Sequence, residues 1–321
     1  KYLHPGALPV VENGTIRDDL FRRDFSINAM AVRINRDSWA QLADEFGGLE
    51  DLKKRKIRIL HEKSFIDDPT RILRAVRFEQ RFRFTVEPKT KKLLVSALDH
   101  KLPLQVKDER YFAEFKKILF EESPLPALKR LAQVKGLSFL LANGKVDLSF
   151  LGKVAKTVAA VKKKYLMGEV VDWWLVYFMA LLKNCSQLSV KQIFIQFNLR
   201  RIDRDKILLQ RKVPEVVNII SRKTVTPAEV YTALKPLSYE NQVFVRAVCP
   251  SPVAKNRIDA FWKKYDKIEL SINGTDLKEM GIPEGEQIRI ILNRILLKKV
   301  DGKIRTREQE LKEAERLKVV V

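Results

Sequence analysis

The chain has 321 residues, 45% of them hydrophobic, and a formal net charge of +22 with a pI near 9.9. That length and apolar content predict two or three modules with true cores and exclude intrinsic disorder. The 62 Lys and Arg residues against 40 Asp and Glu point to a polyanionic partner, a nucleic acid first and an anionic membrane surface second.

Along the chain, Lys1 to Glu12 carries two prolines and a glycine without periodicity and reads as a loop. There is no initiator Met and no secretion signal, so the chain is expected to begin partway through a domain. Arg17-Asp18-Asp19-Leu20 leads into a short helix. RRDFSINAM, Arg22 to Met30, runs into Ala31-Val32-Arg33-Ile34-Asn35, whose alternation predicts a strand. A turn at Phe46 to Gly48 precedes Leu49-Glu50-Asp51-Leu52 and a second strand candidate, Lys56 to Leu60. From Ser64 onward nearly everything reads as helix, with loops expected at Pro88, Pro103, Pro124, Pro126, Gly136, Gly144, Gly152 and Pro214. The most apolar stretch, Trp173 to Leu182, is about ten residues long, too short to span a bilayer, and no membrane partner is expected. Trp173 and Trp174 read as core. Cys185 and Cys249 form no CxxC pair, which argues against a disulfide framework or zinc site and fits a reducing cytoplasm. Asp301-Gly302 reads as a tight turn, and Thr306 with Gln309 as a capping box for a last helix.

Asp67 to Phe78, DDPTRILRAVRF, is the most informative stretch. A proline at the first helical position follows an acidic cap, and Ile72, Val76 and Phe78 supply a packing face. Arg71, Arg74 and Arg77 follow at i+3 steps with no acid among them, so they are expected to lack local partners and to be available to a polyanion. Asp68 accepts hydrogen bonds and Arg71 donates them in a planar fork. Cytosine and adenine present an amine beside an unprotonated ring nitrogen, whereas uracil and guanine present a carbonyl beside a ring N–H. The pair therefore suits C and A and refuses U and G. The same residues also suit a plain helix cap with solvating arginines, and residue type alone leaves both readings open.

RRDFSINAMA, the DEFGGLEDL of Asp44 to Leu52, DDPTRILRAVRFEQRF and Arg110-x-x-x-Glu114, in this order and spacing, closely resemble the bacterial class II tRNA nucleotidyltransferases. These are the CCA-adding enzymes with their CC-adding, A-adding and poly(A) polymerase relatives. The likeness continues more loosely into INGTDLKEMGI and LLKKVDGKI. It implies that Arg23 and Asp24, with Asn28 close by, contact the nucleotide's phosphates and ribose hydroxyl. It implies further that Asp67, Asp68 and Arg71 form a protein template in which Asp68 and Arg71 read the base, Asp67 standing where Glu is more usual. Arg74 and Arg77 match further nucleotide contacts. Arg110 and Glu114 match a motif that braces the base-reading helix, and their spacing suits an internal ion pair or an exposed pair of little energetic value.

The implied activity is template-independent addition of C and/or A to tRNA 3′ ends, with CTP and ATP as substrates and Mg²⁺ as the metal. The family's GGxVRD turn and Asp-x-Asp strand are absent from these residues, so catalytic metal ligands are expected upstream of Lys1 and none within the chain. Asp203-Arg204-Asp205 has the letters but sits in a charged, helix-like run. The alternatives are a non-catalytic tRNA-binding protein on the same scaffold and a poly(A) polymerase. The implied fold is α+β and mostly α: the end of a mixed α/β nucleotidyltransferase head over 1–63, then a helical neck over 64–135, body over 136–215 and tail over 216–321. Lys153, Lys156, Lys163, Arg200, Arg201, Arg204, Arg211 and Lys212 are candidates for tRNA phosphate contact or for a solvated face. The Gly281 to Gly285 turn is read either as a phosphate-facing helix start or as a glycine C-cap.

Overall fold

The computed structural model describes residues 13–106, 108–141, 146–166 and 168–318; the loops expected at Lys1 to Glu12 and at Gly144 lie outside them. The described chain is mostly helical and divides into two compact units, Lys1–Ala155 with Ala180–Arg200, and Lys156–Met179 with Arg201–Val321.

The first unit begins with α1 (Ile16–Phe21), started by a capping box in which Thr15 and Asp18 exchange hydrogen bonds. The chain turns through Asp24 to Asn28 and enters β1 (Ala31–Val32), paired antiparallel with β2 (Leu42–Ala43). The strand expected over 31–35 is shorter because the chain closes a hairpin: Arg33 N donates to the Gln41 carbonyl and Ala40 N to that of Arg33. After α2 (Gly48–Lys53), β3 (Lys56–Ile57) pairs parallel with β4 (Thr85–Val86). Ser26 N donates to the Arg58 carbonyl at 2.9 Å, and Phe25 bridges Ile59, which ties the Arg22 to Met30 segment to the chain beyond β3.

The unit continues with the helices α3 (Ser64–Asp67), α4 (Thr70–Phe82), α5 (Pro88–Asp99), α6 (Asp108–Leu119) and α7 (Leu125–Gln133). In α4 the buried residues Ile72, Leu73, Ala75 and Val76 recur at helical spacing. Ile72 and Ala75 join Phe25, Ile57, Phe65, Val86 and Leu94 in one core, where each large aliphatic side chain contributes about 1.5–3 kcal/mol. The helix stops where Arg83 turns left-handed at φ 54°, and Phe84 N reaches back to the Glu79 carbonyl at 2.9 Å in the pattern of a Schellman cap. That stop frees Thr85 and Val86 to pair with β3, so β4 interrupts the tract expected to be helical.

Helices α8 (Leu148–Lys164) and α9 (Trp173–Leu182) contribute residues to both units, and α10 (Gln187–Gln196) belongs to the first. The second unit adds α11 (Arg201–Leu208), α12 (Val213–Ser221), α13 (Pro227–Leu234), α14 (Tyr239–Val248), α15 (Pro252–Ala260), α16 (Gly274–Glu279), α17 (Glu286–Val300) and α18 (Arg307–Lys318). Leu277, Ile282, Ile291, Ile295, Ala314 and Leu317 form its C-terminal core. Trp174 is buried, and Lys162 Nζ lies 5.0 Å from the half-buried Trp173 ring. Lys206 bridges Asp172 and Glu240 at 3.4 and 2.9 Å.

Pro88 and Pro214 stand in the first turns of α5 and α12 rather than in loops, where their missing N–H leaves no hydrogen bond unmade. Gly152 lies inside α8. Gly281, at φ 77°, is a glycine C-cap to α16, with Ile282 N donating to the Leu277 carbonyl at 3.0 Å. Thr306 and Gln309 exchange the capping-box hydrogen bonds at the start of α18. Cys185 and Cys249 are free thiols. No described helix is long and apolar enough to cross a membrane.

Candidate functional site

The turn from Arg22 to Asn28 is built from below. Asp44 accepts from Gly48 N and Leu49 N at 2.6 and 2.9 Å, capping α2. Asp51, on α2, accepts from Ser26 Oγ at 2.7 Å and from Arg58 Nε and Nη2 at 2.8 and 3.0 Å. Burial alone would raise the Asp51 carboxyl, but the donors Arg58 and Ser26 outweigh it and hold the group below the usual range. The FGGLEDL motif thereby holds the turn that presents Asp24 and Asn28. Asp24 Oδ1 accepts from Phe25 N at 2.9 Å and Asn28 Nδ2 at 3.0 Å. Arg23 donates to the Asn28 carbonyl at 3.1 Å and pairs with Asp19 at 3.1 Å.

Asp68 sits at the junction of α3 and α4. Pro69 takes the N-cap position, one residue before the helical position expected for it. Asp68 Oδ1 accepts from Thr70 N at 3.1 Å and Thr70 Oγ1 at 2.6 Å, while Oδ2 accepts from Arg110 Nη2 at 2.6 Å. Arg71 is 3% exposed. It donates through Nη1 to Ser64 Oγ and through Nη2 to the Arg22 carbonyl, each at 2.6 Å. Arg74 donates to Asp24 Oδ2 at 2.7 Å and lies 3.7 Å from Glu114.

These arginines, expected to lack local partners, are engaged by partners distant in sequence, so the expectation that they are available is corrected. The acids that pair with Arg74 and Arg77 stand at positions 24, 114 and 121, far away in sequence and close in space. Arg77 pairs with Glu121 at 3.4 Å and lies over the Phe78 ring at 4.7 Å. Each i+3 step falls short of a full helical turn, so two such steps carry Arg77 about 120° around α4 from Arg71. The internal Arg110–Glu114 ion pair is also replaced: Arg110 reaches Asp68, whereas Glu114 turns to Arg74 and to Lys117 at 2.5 Å. Both residues thus contact the α3–α4 segment directly. Asp67 faces His61 at 3.9 Å. Burial and the Arg71 charge push the His61 imidazole below its ordinary pKa.

Arg22, Arg23, Asp24, Asn28, Asp68, Arg71 and Arg74 line one cavity of about 480 Å³. Asp67, Arg77, Arg110 and Glu114 are not among its lining residues. Arg22 enters as a new member, legible only as the first letter of RRD, and Ser64 and Thr70 enter as its support. The cavity combines arginines suited to phosphates with carboxylates suited to a sugar hydroxyl or a base amine. Two other cavities have a different chemistry: one of about 420 Å³ at α12 and α13 has an aliphatic floor with charges of both signs, and one of about 720 Å³ lies along α5.

Among the described residues, no group of three or more His, Cys, Asp or Glu is placed to hold a metal ion. Asp203 is buried and Asp205 exposed on α11, so that pair does not converge. These residues do not fit a divalent metal. Lys153, Lys156 and Lys163 are exposed on α8, as are Arg200 and Arg201 ahead of and within α11, and Gly281 and Gly285 around the turn before α17.

The cleft is walled by the RRD turn on one side and by the arginine-bearing start of α4 on the other. Residues 4–58 match the family model of the Poly A polymerase head domain. An A-adding tRNA nucleotidyltransferase of Geobacter sulfurreducens is 34% identical over 334 residues, covering 98% of this chain and 37% of that protein. A Thermotoga maritima CCA-adding enzyme complexed with tRNA has a TM-score of 0.79 at 33% identity, covering 93% of this chain and 73% of that one. CCA-adding enzyme structures with ATP and with CTP each give a TM-score of 0.79 at 33% identity, covering 93% of this chain and 71% of theirs. The chain belongs to the tRNA nucleotidyltransferase and poly(A) polymerase family. It spans 37% of the length of the Geobacter relative and 36% of an Aquifex aeolicus one.

Proposed function

We propose that the chain forms the base-selecting and RNA-holding part of a template-independent nucleotidyltransferase that adds C and/or A to tRNA 3′ ends. The observation that carries this reading is the single cavity in which an acceptor, Asp68, and a planar donor, Arg71, stand with Asp24, Asn28 and Arg74. In this reading Asp68 takes the exocyclic amine of C or A and Arg71 donates to the adjacent ring nitrogen. Arg23 and Arg74 hold phosphates, Asp24 with Asn28 accepts from the ribose hydroxyl, and Arg110 and Glu114 brace the segment from α6. Arg77 acts through the packing of α4. The relatives solved with tRNA, ATP and CTP support these partners.

Mg²⁺ is proposed as the metal of the transfer, with ligands other than the residues described; the steps assigned to this chain are nucleotide selection and positioning. The head, neck, body and tail division at 63, 135 and 215 is proposed beside the two compact units, whose boundaries fall elsewhere, at 155, 179 and 200. The exposed cations of α8 and α11, with the Gly281 to Gly285 turn, are proposed to meet tRNA phosphates. Two free thiols fit a reducing cytoplasm.

The test joins the chain to a segment carrying the metal ligands and offers it a tRNA lacking its 3′ CCA, Mg²⁺ and each labelled nucleoside triphosphate in turn. Extension by C or A, and not by U or G, is expected. Binding of the tRNA without extension by any nucleotide would favour the non-catalytic alternative, and extension beyond the CCA end would mark a poly(A) polymerase.

A further inference from the structure

We propose that two buried hydroxyls, Ser64 Oγ and Thr70 Oγ1, are positioning groups that fix Asp68 and Arg71 as an acceptor and a donor of set direction. The proposal rests on the base-selecting reading of that pair. Ser64 and Thr70 are 0% and 3% exposed, and each lies 2.6 Å from its partner in the pair.

Telling C and A from U and G is a matter of order. An acceptor must stand where the amine arrives and a donor where the ring nitrogen arrives, and a pair free to rotate would serve either order. A carboxylate offers about four lone-pair sites. On Asp68, Thr70 N and Thr70 Oγ1 share Oδ1, and Arg110 takes one site on Oδ2, so the carboxylate plane is set while acceptor capacity remains. The guanidinium plane of Arg71 is set in the same way, because Nη1 is held by Ser64 and Nη2 by the Arg22 carbonyl. Ser64 opens α3 and Thr70 opens α4, so the break between these helices brings both hydroxyls to the reading pair.

Thr70→Val preserves shape and the backbone donor but removes the hydroxyl, Thr70→Ser retains it, and Ser64→Ala removes the other. Equilibrium competition among CTP, ATP, UTP and GTP for the 321-residue chain reads the effect. Thr70→Val and Ser64→Ala are each expected to narrow the preference for CTP and ATP by about tenfold, with Thr70→Ser close to the unsubstituted protein. An undiminished preference in both hydroxyl-less variants would overturn the proposal, as would an equal weakening of all four nucleotides, the mark of a purely structural role. An unsubstituted chain without any preference would overturn the base-selecting reading and this inference with it.

Discussion

Replacing Arg71 with alanine is expected to cut the preference for CTP and ATP over UTP and GTP by about 10- to 100-fold, in line with the ~1–3 kcal/mol that a well-placed bidentate contact contributes to base discrimination. The side chain is held at both Nη atoms by Ser64 and the Arg22 carbonyl, so its plane is fixed before a base arrives and little order has to be gained on binding. Removing it also leaves the buried Ser64 hydroxyl and the Arg22 carbonyl without that donor, at a cost of about 1–3 kcal/mol of stability. Arg71→Lys separates the two effects. It keeps a cation near the phosphates but offers a point charge in place of a fork, so selectivity should fall nearly as far as in Arg71→Ala while total nucleotide affinity falls less. Competition binding with the four nucleotides measures both quantities. Discrimination that survives intact in Arg71→Ala would remove Arg71 from the reading of the base.

Gly48→Ala is expected to be the most damaging single methyl in the first unit. A Cβ at this position would lie 2.3 Å from the Ser26 carbonyl oxygen and 2.8 Å from Met30 Cγ. The sulfur-bearing side chain of Met30 can move, but the Ser26 oxygen belongs to the backbone of the turn that presents Asp24 and Asn28. An overpacked contact of this kind costs about 3 kcal/mol, which corresponds to a fall of roughly 10 °C in melting temperature for a unit of this size. Gly152→Ala is the matched comparison. It lies within α8, and a Cβ there would meet nothing within 4 Å, so the helical preference of alanine should leave the melting temperature unchanged or slightly raised. Equal melting temperatures for the two variants would show that the close approach of Gly48 to Ser26 is not required. Nucleotide binding should fall with Gly48→Ala as well, because Asp24 is placed by the displaced turn.

The parts of this site legible in the sequence are those that depend on local spacing. The periodic Ile72, Val76 and neighbouring residues mark α4, the capping box marks α18, and the order of RRD, FGGLEDL and DDPTR marks the family. Tertiary partners are not encoded that way. Nothing near Arg74 in the chain announces Asp24 or Glu114, and nothing near Asp68 announces Arg110. Proline and glycine signals also have two meanings, since Pro88 and Pro214 open helices while Gly152 continues one. The left-handed Arg83, which ends α4 and lets β4 form, has no residue-type signal, because glycine or asparagine is the usual choice there. Ser64 and Thr70 carry no distinct signal for a related reason: a small hydroxyl residue at a helix start reads first as a cap.

In the proposed function the Asp68–Arg71 pair selects a base by the order of its donor and acceptor. Equilibrium competition binding of CTP, ATP, UTP and GTP to the unsubstituted chain tests it most directly, because the triphosphate and ribose are common to all four and only the base edge differs. CTP and ATP are expected to bind at least about tenfold more tightly than UTP and GTP. Equal affinities for the four nucleotides, or a preference that groups purines against pyrimidines, would contradict it.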